Sequence, residues 1–145
     1  MAKRRRRPTL EIDGTRLTLA QLRAFETRRP QVLLVPTARR RMQASRDAVQ
    51  RAVERGETSY GINTGFGAFA NRVIPAAKTR KLQLNLIRSH ACGTGCALPA
   101  AIVRRMLLLK ANSLAAGYSG ARPLVADTLL TLLNEDVLPV VPAQG

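Results

Sequence analysis

The sequence has 145 residues, of which 46% are hydrophobic. It contains 24 lysines and arginines but only 9 aspartates and glutamates, so its formal net charge is +15. This length suits one domain or one piece of a larger domain. No apolar run reaches the ~20 residues of a membrane helix, and no apolar signal segment follows the basic start. We therefore expect a soluble cytoplasmic protein with no membrane partner. The two cysteines, Cys92 and Cys96, are too few for a disulfide framework.

The N-terminus carries a run of basic residues from Lys3 to Arg7. Such runs are typical of solvated tails, so we expect residues 1–9 to be a basic disordered tail and residues 10–145 to form the folded part. A competing hypothesis is a non-enzymatic module that grips nucleic acid with this run and an arginine-rich helix. No basic surface interleaved with aromatics and no DNA-reading motif accompanies the run, which argues against a nucleic-acid partner.

The first elements follow this tail. TLEIDGTRLT alternates weakly around Asp13-Gly14, a good two-residue turn, and predicts a short β-hairpin. Thr18 and Gln21 have the spacing of a capping box, which predicts a short helix that Arg29-Pro30 ends.

A brief extended run from Val32 to Pro36 comes next. Thr37 then suits a second N-cap, and the residues from Ala38 to about Gly56 have apolar side chains at helical spacing with arginines between them. The pattern predicts an amphipathic helix whose arginines keep one side in water.

The stretch from Thr58 to Arg72, TSYGINTGFGAFANR, fits neither a helix nor a strand. It predicts a glycine-rich loop that runs to about Pro75. In the helix that follows, Leu82, Leu86 and His90 share one face, and Gly93 is expected to end it.

Two further helices are predicted in the last third of the chain. Pro99 suits the first position of a largely buried helix that closes at Gly117, and Pro123 opens the next one. The final VLPVVPAQG is extended and broken by prolines. The sequence therefore predicts a mainly α fold with a short β-hairpin near its start and a glycine-rich active-site loop.

Simple cofactor motifs are absent from the loop and the helix after it. The segment from Gly65 to Ala70 fits G-x-G-x-x-A, yet no apolar strand precedes it and no acidic residue follows at ~20 positions. The spacing of His90, Cys92 and Cys96 lacks a fourth ligand, so we predict no metal site. A single histidine in the last turn of a helix is most often structural.

The combination of segments is more informative than any one of them. From about Leu17 to the last residue, the chain resembles the N-terminal part of the aromatic amino acid ammonia-lyases, a methylidene-imidazolone family, and it is most similar to histidine ammonia-lyase. Four segments carry the resemblance: YGINTGFG (60–67), LQLNLIRSH (82–90), KANSLAAGYSGAR (110–122) and LNEDVLPVVPAQG (133–145).

The resemblance implies an enzyme that eliminates ammonia from an amino acid without oxidation; with L-histidine the product is urocanate. It implies a cytoplasmic homotetramer with active sites shared among subunits, and an electrophile, methylidene-imidazolone, made from an Ala-Ser-Gly tripeptide. The β-proton is barely acidic and the amine is a poor leaving group, so one group must capture the amine while a base takes the proton.

The resemblance also implies roles for particular residues. Tyr60 is the catalytic acid/base, and because an unperturbed phenol titrates near 10, it needs neighbouring positive charge or hydrogen bonds. Gly67 is expected to let the loop come close to the substrate, with Phe66 and Phe69 as anchors. Ser89 and His90 are expected to bind the substrate ring.

The substrate is less specified than the reaction. Ser89-His90 followed by small residues and glycine is typical of histidine lyases, whose substrate ring can exchange hydrogen bonds with His90. Arg88, however, gives the Arg-Ser-His order that some tyrosine lyases and aminomutases share. A tyrosine or phenylalanine ammonia-lyase, or an aminomutase, therefore stays open as an alternative.

One departure from the family concerns the cofactor. The tripeptide Ala-Ser-Gly does not occur in the 145 residues, and in relatives it directly follows a segment like the final VPAQG. We therefore expect a chain truncated before the cofactor segment and inactive by itself. A truncated gene product, one part of a split reading frame, and a fragment with another role remain open.

Overall fold

The computed structural model describes residues 7–67, 70 and 72–145. Within them the helices and strands follow the order β1 (Thr9–Ile12), α1 (Leu19–Arg28), β2 (Gln31–Leu34), α2 (Pro36–Glu54), α3 (Ala76–His90), β3 (Thr94–Ala97), α4 (Ala100–Ala115), α5 (Pro123–Asn134) and β4 (Pro142–Gln144). The predicted mainly α fold is confirmed. None of the helices in the described ranges has both the length and the apolar character needed to cross a membrane.

The chain divides into two compact units. The first contains the described residues up to Arg46 together with Ala97–Val141, and the second contains Asp47–Cys96 with Pro142–Gly145. The first unit holds the main core, whereas the second holds the glycine-rich loop and α3.

The predicted β-hairpin is wrong. Strand β1 pairs in parallel with β2, in a register that sets Thr9 opposite Gln31 and Ile12 opposite Leu34, with α1 as the crossover between them. Parallel neighbours need such a crossover. The carboxylate of Asp13 accepts the backbone N–H groups of Thr15 and Arg16, both at 2.9 Å, so the turn leads the chain onward to α1.

The Asp13 carboxylate is also an electrostatic feature of this turn. The pKa of this carboxyl lies well below its usual range. The hydrogen bond from the Thr15 N–H has the largest effect, and the Arg16 guanidinium, at 2.5 Å from Asp13 Oδ2, has the next largest. Hydrogen bonds to the charged form of a carboxyl favour ionisation.

Gly14 is required where this turn meets α4. Its φ is +88°, and a Cβ atom added to it would lie 2.3 Å from the backbone nitrogen of Ala116. The N–H of Gly14 donates to Asn112 Oδ1 at 3.0 Å. Only a residue without a side chain allows this approach.

Helix α1 begins and ends as its sequence predicts. The capping box is confirmed: the Thr18 side chain accepts from the Gln21 N–H, and the Gln21 side chain accepts from the Thr18 N–H. Arg29 adopts the left-handed conformation at the C-cap.

The predicted N-cap of α2 is wrong, because α2 starts at Pro36 and Thr37 lies in its first turn. Proline suits that position, since its missing N–H has no partner within the helix there.

The core of the first unit lies between the small parallel sheet and the packed pair α4 and α5. Helix α4 is largely buried, as predicted. The buried core side chains include Ile12, Phe25, Val32, Leu107, Leu108, Leu130 and Leu133. Arg104 is also buried; its Nε donates to Glu26 at 3.2 Å, and its Nη1 donates to Asp136.

The second unit contains a pairing that the sequence did not indicate. Strands β3 and β4 form a two-stranded sheet. Gly93 lies against the ring of Pro142, where an added Cβ would come within 2.8 Å of Pro142 Cγ. Helix α3 ends at His90, three residues before the expected Gly93.

Candidate functional site

Tyr60 lies in a hydrogen-bonded turn at the start of the glycine-rich loop. The carbonyl of Ser59 accepts the N–H groups of Ile62 and Asn63 at 3.1 and 3.2 Å. The Asn63 side chain completes the turn, because its Oδ1 accepts from Ser59 N at 2.8 Å and its Nδ2 donates to the Glu57 carbonyl at 2.8 Å. This double contact, the Asn63 staple, fixes the backbone that presents Tyr60.

Tyr60 is 67% exposed, and its ring has one aromatic neighbour among the described residues. Phe66 meets it edge to face, with ring centroids 6.1 Å apart and an interplanar angle of 69°. Gly67 follows with φ +56°, a conformation that glycine adopts without strain. The other predicted anchor, Phe69, lies outside the described residues.

The loop closes on itself through a short neck, residues 63–65 against 72–74. Gly65 N donates to Arg72 O at 3.0 Å and Ile74 N donates to Asn63 O at 2.8 Å, on either side of an antiparallel bridge between Thr64 and Val73. Thr64 is 1% exposed. The neck joins the Tyr60 turn to the segment that enters α3.

His90 ends α3 with its ring held on one side. Its Nδ1 lies 2.9 Å from the carbonyl oxygen of Leu86 and 3.1 Å from Ser89 Oγ, while the Ser89 hydroxyl donates to the same carbonyl at 3.0 Å. A carbonyl only accepts, so the contact is a hydrogen bond when Nδ1 carries the proton. In the neutral ring Nε2 is then an acceptor, and it has no hydrogen-bond partner in the described part of the chain.

The cysteines near His90 were considered as metal ligands with it. The thiol of Cys92 lies 3.6 Å from the His90 carbonyl, and Cys92 and Cys96 are both exposed and free. Across residues 7–67, 70 and 72–145, no group of three histidine, cysteine, aspartate or glutamate side chains has an arrangement suited to a metal ion.

The site residues predicted from the sequence lie in one compact unit. Tyr60 and Gly67 share the loop, and Ser89 and His90 share the end of α3; within the described ranges no hydrogen bond or ring contact joins Tyr60 to His90. Their catalytic and binding roles stay predictions. The sequence did not predict the Asn63 staple or the contact between His90 Nδ1 and the Leu86 carbonyl. The i, i+4 spacing of Leu86 and His90 is the signal that could have indicated the second contact.

The structure gives little support to the hypothesis of a basic module that binds nucleic acid. Lys3 to Arg6 lie outside the described residues, and Arg7 donates to the carbonyl of Asn134 at 3.1 Å. On α2, Arg39 binds the Asp127 carboxylate with two hydrogen bonds of 2.5 and 2.8 Å, and Arg41 donates to the Asp13 carbonyl. These two arginines of α2 therefore make hydrogen bonds to other residues of the same chain.

Comparison with known proteins identifies the family of this chain. Residues 17–145 match the aromatic amino acid lyase family. The chain belongs to this family. It is 48% identical over 137 residues to a histidine ammonia-lyase of Anaeromyxobacter dehalogenans, a match that covers 94% of this chain and 27% of that protein.

Solved structures agree with this assignment. The chain superposes on the crystal structure of histidine ammonia-lyase from Trypanosoma cruzi with a TM-score of 0.84 at 36% identity, covering 94% of this chain and 26% of that one. The tyrosine aminomutase of Streptomyces globisporus matches with a TM-score of 0.85 at 30% identity, covering 95% and 26%. The chain thus spans about a quarter of the length of these relatives.

Proposed function

We propose that this chain supplies the catalytic tyrosine and the ring-recognition histidine of a histidine ammonia-lyase, an enzyme of histidine metabolism that converts L-histidine to urocanate and ammonia. In this reaction the Cβ–H and Cα–N bonds break and a Cα–Cβ double bond forms. Tyr60 takes the β-proton, and the amine leaves as ammonia. The relatives named histidine ammonia-lyase, at 41 to 48% identity, support this reaction.

The observation that carries the substrate proposal is the orientation of His90. Because Nδ1 is engaged by the Leu86 carbonyl, Nε2 offers a lone pair to an incoming donor. The imidazole N–H of histidine and the O–H of tyrosine are such donors, whereas the ring of phenylalanine has none. Ser89 then acts by holding the His90 ring, since its hydroxyl is bound to α3 itself.

Tyr60 suits proton transfer because its backbone is fixed while its ring remains open to a substrate. Tyr60 is 67% exposed, and the Asn63 staple holds the turn that carries it. A general base acts only when it lies within hydrogen-bond reach of the proton it takes. Gly67, on the same loop, is proposed to leave room for the substrate backbone.

The precursor of the family's prosthetic group is not among these 145 residues. Methylidene-imidazolone forms from Ala-Ser-Gly, and the 145 residues contain no such tripeptide. We therefore assign no step through that group to this chain and expect these residues alone to be inactive. The complete enzyme is proposed to be a cytoplasmic homotetramer with sites shared among subunits.

A chimera tests this proposal. The chain replaces the matching quarter of the Anaeromyxobacter dehalogenans histidine ammonia-lyase, and urocanate formation from L-histidine is followed by absorbance. We expect activity in the chimera, loss of activity in its Tyr60→Phe variant, and none from the 145-residue chain alone. A folded tetrameric chimera without product from any amino acid tested would overturn the proposal.

The same chimera separates the alternatives within the family. Assays with L-tyrosine and L-phenylalanine, together with analysis for β-amino acids, distinguish a tyrosine or phenylalanine lyase or an aminomutase from a histidine lyase. Nucleic-acid binding by the isolated chain that weakens steeply with salt, and is lost when residues 3–7 are removed, would favour the basic module instead.

A further inference from the structure

A pocket lies beneath the neck of the glycine-rich loop, entirely within the second unit. Its volume is about 320 Å³, and its walls include Val53 near the end of α2, Ile62 and Asn63 from the Tyr60 turn, Val73 and Ile74 from the neck, and Thr79 on α3. Small-molecule pockets usually begin at about 300 Å³. The space is therefore large enough for a ligand.

The walls select for an uncharged, mainly apolar ligand. Among the residues that the structure describes, no charged side chain lines the pocket. The two polar side chains are already engaged: Asn63 forms the staple with Ser59 and Glu57, and the Thr79 hydroxyl donates to the Pro75 carbonyl at 3.4 Å. A charged ligand would lose its hydration without gaining a partner. An apolar cavity of about 150 Å³ already admits benzene.

The position of the pocket couples it to Tyr60. Ile62 and Asn63 form one wall and belong to the same turn as Tyr60, while Val73 and Ile74 form another and pair with residues 63 and 64. A ligand that contacts both sides of the neck therefore touches the same turn that carries Tyr60.

We propose that this neck pocket is a binding site for a small uncharged ring compound of the size of indole, and that its occupation is sensed at Tyr60. The proposal goes beyond the lyase function. Binding to the neck pocket is measured on the isolated chain, so its failure and the failure of the lyase proposal are separate results.

The chain provides its own reporter for the test. It contains no tryptophan and two tyrosines. Tyr118 belongs to the first unit and is 93% exposed, so it serves as the internal reference for Tyr60. The protein labelled with 3-fluorotyrosine is titrated with indole and followed by ¹⁹F NMR, and Tyr118→Phe assigns the two resonances. We expect a saturable shift at Tyr60 and none at Tyr118.

Two matched variants test the location. Val53→Phe fills the pocket, whereas Val125→Phe makes the same change on α5, far from the pocket in sequence; the two valines are 37% and 41% exposed. We expect indole to bind Val53→Phe at least about tenfold more weakly and Val125→Phe with unchanged affinity. Circular dichroism verifies folding, and Val73→Phe replaces Val53→Phe if the latter does not fold.

A charged probe tests the chemistry. Indole-2-carboxylate has the same ring system with a negative charge, and we expect no saturable shift with it because the described walls of the pocket carry no basic side chain. The proposal is wrong if indole gives no saturable shift at Tyr60, if Tyr118 shifts equally, or if the pocket-filling variant binds indole as the native chain does.

Discussion

His90 is proposed to offer Nε2 to the substrate, and two substitutions separate its two ring nitrogens. His90→Asn places an amide near the position of Nδ1, where it can still reach the Leu86 carbonyl, but leaves nothing at Nε2. His90→Gln places an amide oxygen near the position of Nε2. The chimera with the Anaeromyxobacter dehalogenans enzyme allows both to be assayed.

The magnitude follows from the hydrogen bond that is lost. Nε2 is the acceptor left free by the 2.9 Å contact of Nδ1. Without it, the substrate ring N–H is buried unpaired, which costs about 1–3 kcal/mol. This corresponds to a fall in kcat/KM of about 5-fold to 150-fold for His90→Asn. His90→Gln should retain much of the activity, since its amide oxygen accepts in the same place.

The assay is urocanate formation over a range of L-histidine concentrations, with L-phenylalanine as the substrate that lacks a ring donor. Ser89→Ala is the control, because it removes the hydroxyl that contacts Nδ1 and the Leu86 carbonyl but leaves the 2.9 Å contact between Nδ1 and that carbonyl, and it should have a smaller effect. Equal activity of the Asn and Gln variants would refute the assignment of Nε2 as the recognition atom.

The remaining predictions concern stability, measured by urea unfolding followed by circular dichroism. Gly14→Ala should lower the free energy of unfolding by about 2–5 kcal/mol, since the new Cβ meets the Ala116 backbone at 2.3 Å in addition to the strain at positive φ. Gly56→Ala, with φ +70° and open space around its Cβ, should cost about 1–2 kcal/mol, and an equal cost at both positions would contradict the close approach. Leu108→Ala, at a fully buried position, should cost about 2–5 kcal/mol; a cost below 1 kcal/mol would show that α4 is not in the core. Asp13 has a lowered pKa, so its contribution is complete above the unfolded value near 3.9 and is lost as the pH falls toward the folded pKa; the stability difference from Asp13→Asn should therefore shrink below about pH 4.

Local signals predicted the helices because their determinants lie within a few residues of each other. The capping box of Thr18 and Gln21 is complete in four residues, and Pro123 begins α5 where the sequence places it. The ring contact of His90 is also local, since Leu86 is one helical turn away.

Long-range contacts decided the elements that the sequence did not reveal. Asp13-Gly14 has the chemistry of a hairpin turn, but Gly14 is held by Asn112, 98 residues further along the chain. The pairing of β3 with β4 joins segments that are far apart in sequence, and the small residues of TGCA give no strand pattern. At the site, the roles of Tyr60 and His90 came from resemblance to a family, because an exposed tyrosine and a histidine at a helix end have no distinctive pattern of their own.

The Asn63 staple has a consequence for the energetics of substrate binding. Its hydrogen bonds to Ser59 and Glu57 are made within the turn itself. The conformational entropy of those residues is therefore lost when the chain folds. A substrate that reaches Tyr60 need not order its backbone, so that part of its interaction energy remains available to align the Cβ–H bond with the phenol.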